Sequence, residues 1–303
     1  MTPRRASVLV LALVATGCLP RGVPSPPDAG TDCGFAGGAE TRFFVVSTLA
    51  TAAVDPAGNV AGMNLDDHRT VSMADPMGCG FVDRQSGPPD DISGVDNQLG
   101  PILTGSLDIS GALQEDIDAG RVLLLVEVSG IDSYTCDAEV TVSVYAGRLP
   151  PGVAPLAHEA DGRLGGGQTF DVDRRSLGAD GAPLARATGR IANGRVVAAP
   201  FELALPMRVG SNEAVAHLHH GELRFDLPAA GGIDRGVLGA SMSVTEAVEV
   251  GTALFELDVT PTIHTIIAAQ ADLEPDATGV CQALSIGFTL TGVPAVRGAT
   301  VTP

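Results

Sequence analysis

Apolar and polar residues alternate with a period of two through much of this chain. Residues 138–147, AEVTVSVYAG, place three valines on one face and a threonine and a serine on the other, and residues 201–209 and 222–227 repeat the alternation. Residues 121–130, RVLLLVEVSG, form a nearly continuous apolar run, as in a strand that is covered on both faces. Because side chains two residues apart share a face of a strand, these patterns predict a mainly β protein.

Turn signals separate the predicted strands. Asn193-Gly194 and the Asp-Gly pairs at 161–162 and 180–181 are residue pairs that favour tight turns and hairpins. Many short alternating strands with frequent glycine-containing turns are typical of β-sandwiches. The sequence therefore predicts one β-sandwich or jelly-roll-like domain.

A few short helices are expected beside the strands. Residues 109–120 form one candidate, which ends at its last glycine. Ser243 and Glu246 have the spacing of a capping box, in which each side chain accepts a hydrogen bond from the other residue's backbone N–H. Thr260 followed by Pro261 predicts a third helix start, because proline is favoured at the first helical position.

The first eighteen residues have the features of an export signal. Arg4 and Arg5 precede an apolar run from Val8 to Ala15 that is too short to span a bilayer, which takes about 20 residues. The segment closes on ATGC, and here it resembles a bacterial lipoprotein signal. That resemblance implies that Cys18 carries a lipid such as palmitate. An ordinary secretory signal with an incidental cysteine is the alternative.

The resemblance also implies a location. In such lipoproteins an aspartate after the acylated cysteine tends to retain the protein at the inner membrane, and Leu19 at that position favours the outer membrane, on its periplasmic or surface face. Residues 19–40 are rich in Pro, Gly and Ala and are expected to form a flexible tether. Residues 41–296 are then the globular domain, and residues 297–303 a C-terminal tail.

The cysteine count agrees with export. Lipidation of Cys18 leaves four cysteines, an even number that predicts two disulfides in an oxidising compartment, and these are Cys33, Cys79, Cys136 and Cys281. Four cysteines allow three pairings. Closure of the shortest loop favours Cys33–Cys79 and leaves Cys136–Cys281. A zinc site is the rival interpretation, but the chain has no CxxC spacing to support it.

The charge balance is strongly acidic. All 18 basic residues are arginine, against 36 acidic residues, and the formal net charge is −18. Such a surface repels nucleic acid, which is therefore not an expected partner. Because the chain has no lysine, a Schiff base, a phosphate-binding P-loop lysine and a Ser-x-x-Lys nucleophile are all excluded.

Residues 64–100, here called the acidic segment, carry the most conspicuous polar side chains. Calcium takes six to eight oxygen ligands from carboxylates, amides and carbonyls, which makes this segment a candidate calcium site. The candidate ligands are Asp66, Asp83, Asp91, Asp96 and Asn97. The EF-hand spacing is absent. The alternative is that Asp and Asn bond to their own backbone in turns, which the neighbouring glycines also favour.

Two other motifs could carry chemistry. HLHHGE, residues 217–222, would place His217 and His219 on one face of a strand, where they could hold a transition metal only with a third ligand from elsewhere. GASMS, residues 239–243, has the composition of a nucleophile elbow but lacks its final glycine, and we interpret it as a turn before the capped helix. We predict no catalytic residue.

Three stretches resemble a family. MNLDDHRT, GCGFVDRQSGPPDDISGVDNQLG and CQALSIGFTLTGVPAV are similar to segments of uncharacterised exported lipoproteins of the myxobacterial type. The resemblance implies no known activity. The expected function is a non-enzymatic binding or structural role at the cell envelope, with an envelope protein or glycan as the partner. The alternatives are a calcium-dependent adhesion or carbohydrate-binding module, and a hydrolase of envelope or extracellular polymers.

Overall fold

A computed structural model describes residues 33, 38–75, 77–88, 90–100, 103, 109–152, 156–255 and 260–302. Half of the chain is strand and 13% is helix, which confirms the prediction of a mainly β protein with a few short helices. The leader, Cys18 and most of the predicted tether lie outside the described residues. Within the described ranges, no helix is long and apolar enough to cross a membrane.

Strands and helices follow one another in an irregular order. The strands are β1 (Glu40–Thr51), β2 (Arg84–Gln85), β3 (Ser93–Val95), β4 (Leu124–Ile131), β5 (Cys136–Arg148), β6 (Thr169–Asp173), β7 (Ala185–Ala192), β8 (Arg195–Val209), β9 (Asn212–Asp226), β10 (Ile233–Ser243), β11 (Leu273–Pro275), β12 (Cys281–Pro294) and β13 (Val296–Val301). The helices whose bounds lie within the described residues are α1 (Ile109–Asp118), α2 (Val244–Phe255) and α3 (Thr260–Ala268), and a 3₁₀ turn covers Arg174–Ser176.

Eight of the strands pair in a closed ring. Each strand of the series β1-β4-β5-β7-β8-β9-β10-β12 is antiparallel to the next, and β12 pairs with β1. The closure depends on one long strand, β5, which carries β4 on one edge and β7 on the other. Closure leaves no unpaired edge where it is complete.

The ring is complete at one end only. The pairing of β1 with β4 stops at Val45↔Leu125, and the pairing of β7 with β8 stops at Gly189↔Ala198. Beyond these points the strands fall into two groups, β4-β5-β7 and β8-β9-β10-β12-β1. Helix α1 packs against both β1 and β8, where Ser110 Oγ accepts a hydrogen bond from Thr51 N at 3.1 Å. The helix therefore fills part of the gap between the groups.

A parallel pair of strands covers the outside of the ring. β6 pairs antiparallel with the end of β5 and parallel with β13, and the Arg297 guanidinium of β13 lies 5.0 Å from the centre of the Tyr145 ring. Residues 297–303 were expected to be a tail. Residues 297–301 instead belong to β13 and pair in parallel with β6.

The two disulfides that the cysteine count predicted are present, but the pairing that closure of the shortest loop favoured is wrong. The bonds are Cys33–Cys136, with Cα atoms 5.4 Å apart, and Cys79–Cys281, with Cα atoms 5.9 Å apart. The shortest loop does not form because the fold brings Cys33 to the start of β5 and Cys79 to the start of β12. Local loop closure therefore has less influence here than the register of the strands.

Local signals elsewhere were reliable. Asn193 and Gly194 both have positive φ and connect β7 to β8, as predicted for a two-residue hairpin. In the capping box before α2, Glu246 N donates to Ser243 Oγ and Ser243 N donates to a Glu246 carboxylate oxygen. The GASMS stretch is not a turn. It is the buried second half of β10, and its central Ser241 donates to the carbonyl of His219.

Candidate functional site

The acidic segment lies on the outer face of the ring, over two glycines. Gly239 on β10 stands opposite Gly287 on β12. A Cβ atom at Gly239 would come within 2.6 Å of the Met63 side chain, and one at Gly287 within 2.6 Å of Asn97 Nδ2. The absence of side chains at these two positions therefore provides the space in which the segment packs.

Asn97 fixes the segment to the sheet. Its Oδ1 accepts hydrogen bonds from Gly287 N and Gly100 N, both at 3.0 Å, and its Nδ2 donates to the Ala61 carbonyl at 2.9 Å. The residue is 2% exposed. Both lone pairs of the amide oxygen are thus engaged by the protein itself, which makes this predicted calcium ligand a structural clamp.

Asp96 is buried among other carboxylates. Its Oδ2 accepts from Leu65 N at 2.6 Å, and the side chain is almost fully covered. Burial, followed by the negative charges of Asp66, Asp272 and Asp83, raises the pKa of Asp96 to about 9. At neutral pH this group is therefore a neutral carboxylic acid.

The remaining candidates are dispersed. Asp83 accepts from Thr70 N at 2.5 Å, and Asp91 lies on an exposed turn at positive φ. Across the described part of the chain, no group of three or more His, Cys, Asp or Glu is arranged to hold a metal ion. The fold brings Asp66, Asp83 and Asp96 within electrostatic range of one another, and no contact joins them to Asp91.

A bulge divides the histidine motif. His220 has φ of 53°, and the register of β9 shifts against both neighbouring strands at this point. His219 lies between two carboxylates, with Nε2 2.9 Å from Glu246 on α2 and Nδ1 bonded to Glu202 on β8. These partners raise the pKa of His219, with Glu246 making the largest contribution. The histidine is an electrostatic link between β8, β9 and α2.

A cleft of about 870 Å³ opens where the ring is incomplete. One wall is the half of β8 beyond Ala198, which in the described structure pairs only with β9. The opposite wall consists of the end of β5, the start of β7 and residues 120–123 after α1. Small-molecule sites have volumes of roughly 300–1,000 Å³, so this space suits a ligand.

The cleft combines an apolar surface with arginines. Val144, Leu203 and Met207 line it from the buried core, and Leu184 stands at its rim with 62% of its surface exposed. Its charged residues are Arg121, Arg148, Arg175, Arg208, Asp173, Glu202 and Glu213. Four arginines against three acidic residues give the cleft a positive net charge, opposite in sign to the net charge of the whole chain.

Comparison with protein-family models, curated proteins and solved structures returns no match. The candidate site therefore depends on its own geometry.

Only part of the cleft could be predicted from the sequence. Its walls come from residues 120–123 and from β5 to β9, and the alternation in residues 138–147 and 201–209 predicted strands that border it. A further signal was RVLLLVEVSG, whose leading arginine and apolar run border the cleft. Where β7 and β8 separate depends on long-range pairing, which local pattern does not encode.

Proposed function

We propose that this chain is a non-enzymatic lipoprotein of the bacterial outer membrane that binds a small amphipathic molecule in the cleft. The observation that carries the proposal is the apolar cleft between the half of β8 that in the described structure pairs only with β9, the end of β5 and the start of β7. Ligand sites are typically concave and apolar with a few placed polar groups, and this cleft has both properties.

The test is binding of a neutral fluorescent apolar probe, 1-aminoanthracene, to the oxidised chain carrying Cys18→Ser. Ala204 is exposed and lines the cleft, so Ala204→Trp should fill it without disturbing the core. Ala230→Trp, at an exposed position outside the cleft, is the matched control. We expect saturable binding that Ala204→Trp abolishes and the control preserves. Absence of saturable binding, or equal binding by both variants, would contradict the proposal.

The envelope location has a separate test. Cells that express the full chain are grown with labelled palmitate, and the protein is followed in membrane fractions. We expect label in the wild-type chain and none in Cys18→Ala, because only the cysteine at the end of the leader is the predicted acylation site. Cys281→Ala, which removes a disulfide cysteine, should retain the label. Label in Cys18→Ala would rule out this anchor.

Calcium binding by the acidic segment is the second candidate function. The observation in its favour is that the charges of Asp66, Asp83 and Asp272 all act on Asp96. A divalent cation would relieve that repulsion. A site held at 100 times its dissociation constant would add about 2.7 kcal/mol to the free energy of unfolding. Thermal melts in calcium and in EDTA should then differ for wild type and coincide for Asp96→Ala.

A further inference from the structure

The arginines of the cleft point to the polar end of its ligand. Asp173, at the end of β6, has 2% of its side chain exposed and binds two arginines at once. Its Oδ2 accepts from Arg148 Nε at 2.8 Å and from Arg175 Nη2 at 2.8 Å. Burial alone would favour the neutral acid, but the bonds from Arg175 and Arg148 hold the pKa of Asp173 well below its usual range. Both guanidinium groups are therefore held in place by a buried anion.

These arginines keep donors available. Arg148 uses only Nε on Asp173, and its two terminal nitrogens form no hydrogen bond with the described residues. Arg175 has one terminal nitrogen, Nη1, without a partner in the same part of the chain. Guanidinium groups bind carboxylate and phosphate oxygens with paired donors, and fixed orientation reduces the entropy lost on binding.

The other charges of the cleft are compensated locally. Arg121 pairs with Asp116, a neighbour from α1, and Arg208 lies 3.5 Å from Glu213. Glu202 is bonded to His219, which is also bonded to Glu246. Within the group of Asp173, Arg148 and Arg175, two positive charges face one negative charge, which leaves one positive charge in excess. A ligand with a single negative charge would balance it.

The free edge of β8 does not favour a peptide as the occupant. Pro206 lies on the part of β8 that lines the cleft and has no N–H to donate to an added strand. The apolar surface of Val144, Leu203 and Met207 instead suits a hydrocarbon chain, which needs no hydrogen bonds.

We infer that the cleft binds a monoanionic amphiphile of the fatty-carboxylate class. The head group lies on Arg148 and Arg175, and the chain lies against Val144, Leu203 and Met207. This inference rests on the proposed function, since it names the ligand class of the same cleft.

The experiment is displacement of 1-aminoanthracene by ligands that share a twelve-carbon chain and differ in head group, all below the concentrations at which they self-associate. The ligands are dodecanoate, dodecyl phosphate, dodecanol and dodecyltrimethylammonium. We expect dodecanoate to bind about tenfold more tightly than dodecanol, as for a gained charge-assisted hydrogen bond. Tighter binding of dodecyl phosphate than of dodecanoate would overturn the carboxylate assignment and identify phosphate as the head group.

Substitutions distinguish contacts with the head group from contacts with the hydrocarbon chain. Arg148→Gln and Arg175→Gln should each weaken the binding of dodecanoate by about tenfold and leave the binding of dodecanol unchanged. Arg186→Gln, an exposed arginine on β7 outside the cleft, should change neither. Equal loss for both ligands, or no loss, would overturn the inference while leaving a cleft that binds apolar molecules. Failure of 1-aminoanthracene itself to bind wild type would overturn the proposed function as well.

Discussion

The acidic segment and the cleft use polar groups in opposite ways. In the acidic segment most buried groups bond to the protein, as Asn97 does to Gly287, Gly100 and Ala61, and Asn64 Oδ1 is the exception among the described residues of this segment. In the cleft, Arg148 and Arg175 are fixed by Asp173 and still have donors without partners in the described structure. The segment that is most conspicuous in the sequence is thus the one whose polar groups are mostly satisfied.

The difference shows what identifies a binding site. Composition reveals how many polar groups a segment contains, but not how many the fold leaves available. Buried polar groups are nearly always hydrogen-bonded, so a cluster of them is first a structural feature. Fixed groups with unused donors beside an apolar surface are the better indicator of a ligand.

The largest effect should come from breaking the clamp of the acidic segment. Asn97→Ala removes three hydrogen bonds and leaves Gly287 N buried without a partner, so the free energy of unfolding should fall by about 2 to 4 kcal/mol. Urea unfolding followed by circular dichroism measures it. The control, Asn59→Ala, loses an exposed bond to Asp55 and should change little. Similar losses in both variants would show that the segment is not clamped through Asn97.

The second-largest effect on the free energy of unfolding should come from the buried carboxyl group of Asp96. The folded pKa of Asp96 is about 9, and an unfolded aspartate titrates near 4. Between these pH values the folded state therefore binds one proton that the unfolded state has released. Stability attributable to Asp96 therefore decreases as pH rises through this window. Asp96→Asn should raise the free energy of unfolding by roughly 1 to 3 kcal/mol at pH 8 and by little at pH 4.

The control for that experiment is Asp91→Asn. Asp91 is exposed on its turn, so its substitution should leave the pH dependence as it is in wild type. A pH-independent difference between Asp96→Asn and wild type would contradict the protonated state of Asp96 and would favour an ionised group held by a cation.

A smaller effect is expected from His219, which joins a wall of the cleft to α2. Its folded pKa is raised, so its stabilisation is complete below the unfolded value of about 6.5 and is lost as pH rises through the folded pKa. The melting temperature of His219→Gln should therefore be lower than that of wild type at pH 5.5 and equal to it at pH 9. Thermal melts at the two pH values measure this difference in melting temperature. The same difference at both pH values would assign the effect to packing.

The smallest effect on stability should come from the rim of the cleft. Leu184→Ser changes an exposed side chain, so the free energy of unfolding should stay within about 0.5 kcal/mol of wild type. Binding of 1-aminoanthracene should nevertheless weaken, because an apolar contact is removed from the ligand. A variant that loses stability but not binding would reverse the comparison between the two regions.

Local sequence rules predicted the local structure well. The alternation at 138–147, the Asn193-Gly194 turn and the Ser243 capping box each depend on residues within a few positions of one another, and each is present. These features arise from backbone geometry and nearby hydrogen bonds, which a short stretch of sequence determines.

Long-range arrangement was the part that could not be predicted. The disulfide pairing, the closure of the ring through β5 and the strand at 296–301 all depend on which distant segments pair. For the candidate site, the sequence identified acids that the fold disperses or covers. It could not identify the cleft, because Arg148 joins Asp173 and Arg175 only when β5 and β6 meet.

The position of β12 has a consequence for how the protein is made. β1, the first strand among the described residues, pairs with β12, which is formed by residues 281–294, and β12 also covers an edge of β10. While the chain is still being synthesised, both of those edges have no partner strand, and unpaired edges promote association between chains. A cell that makes this protein therefore has to protect almost the entire chain until its last long strand has been translated.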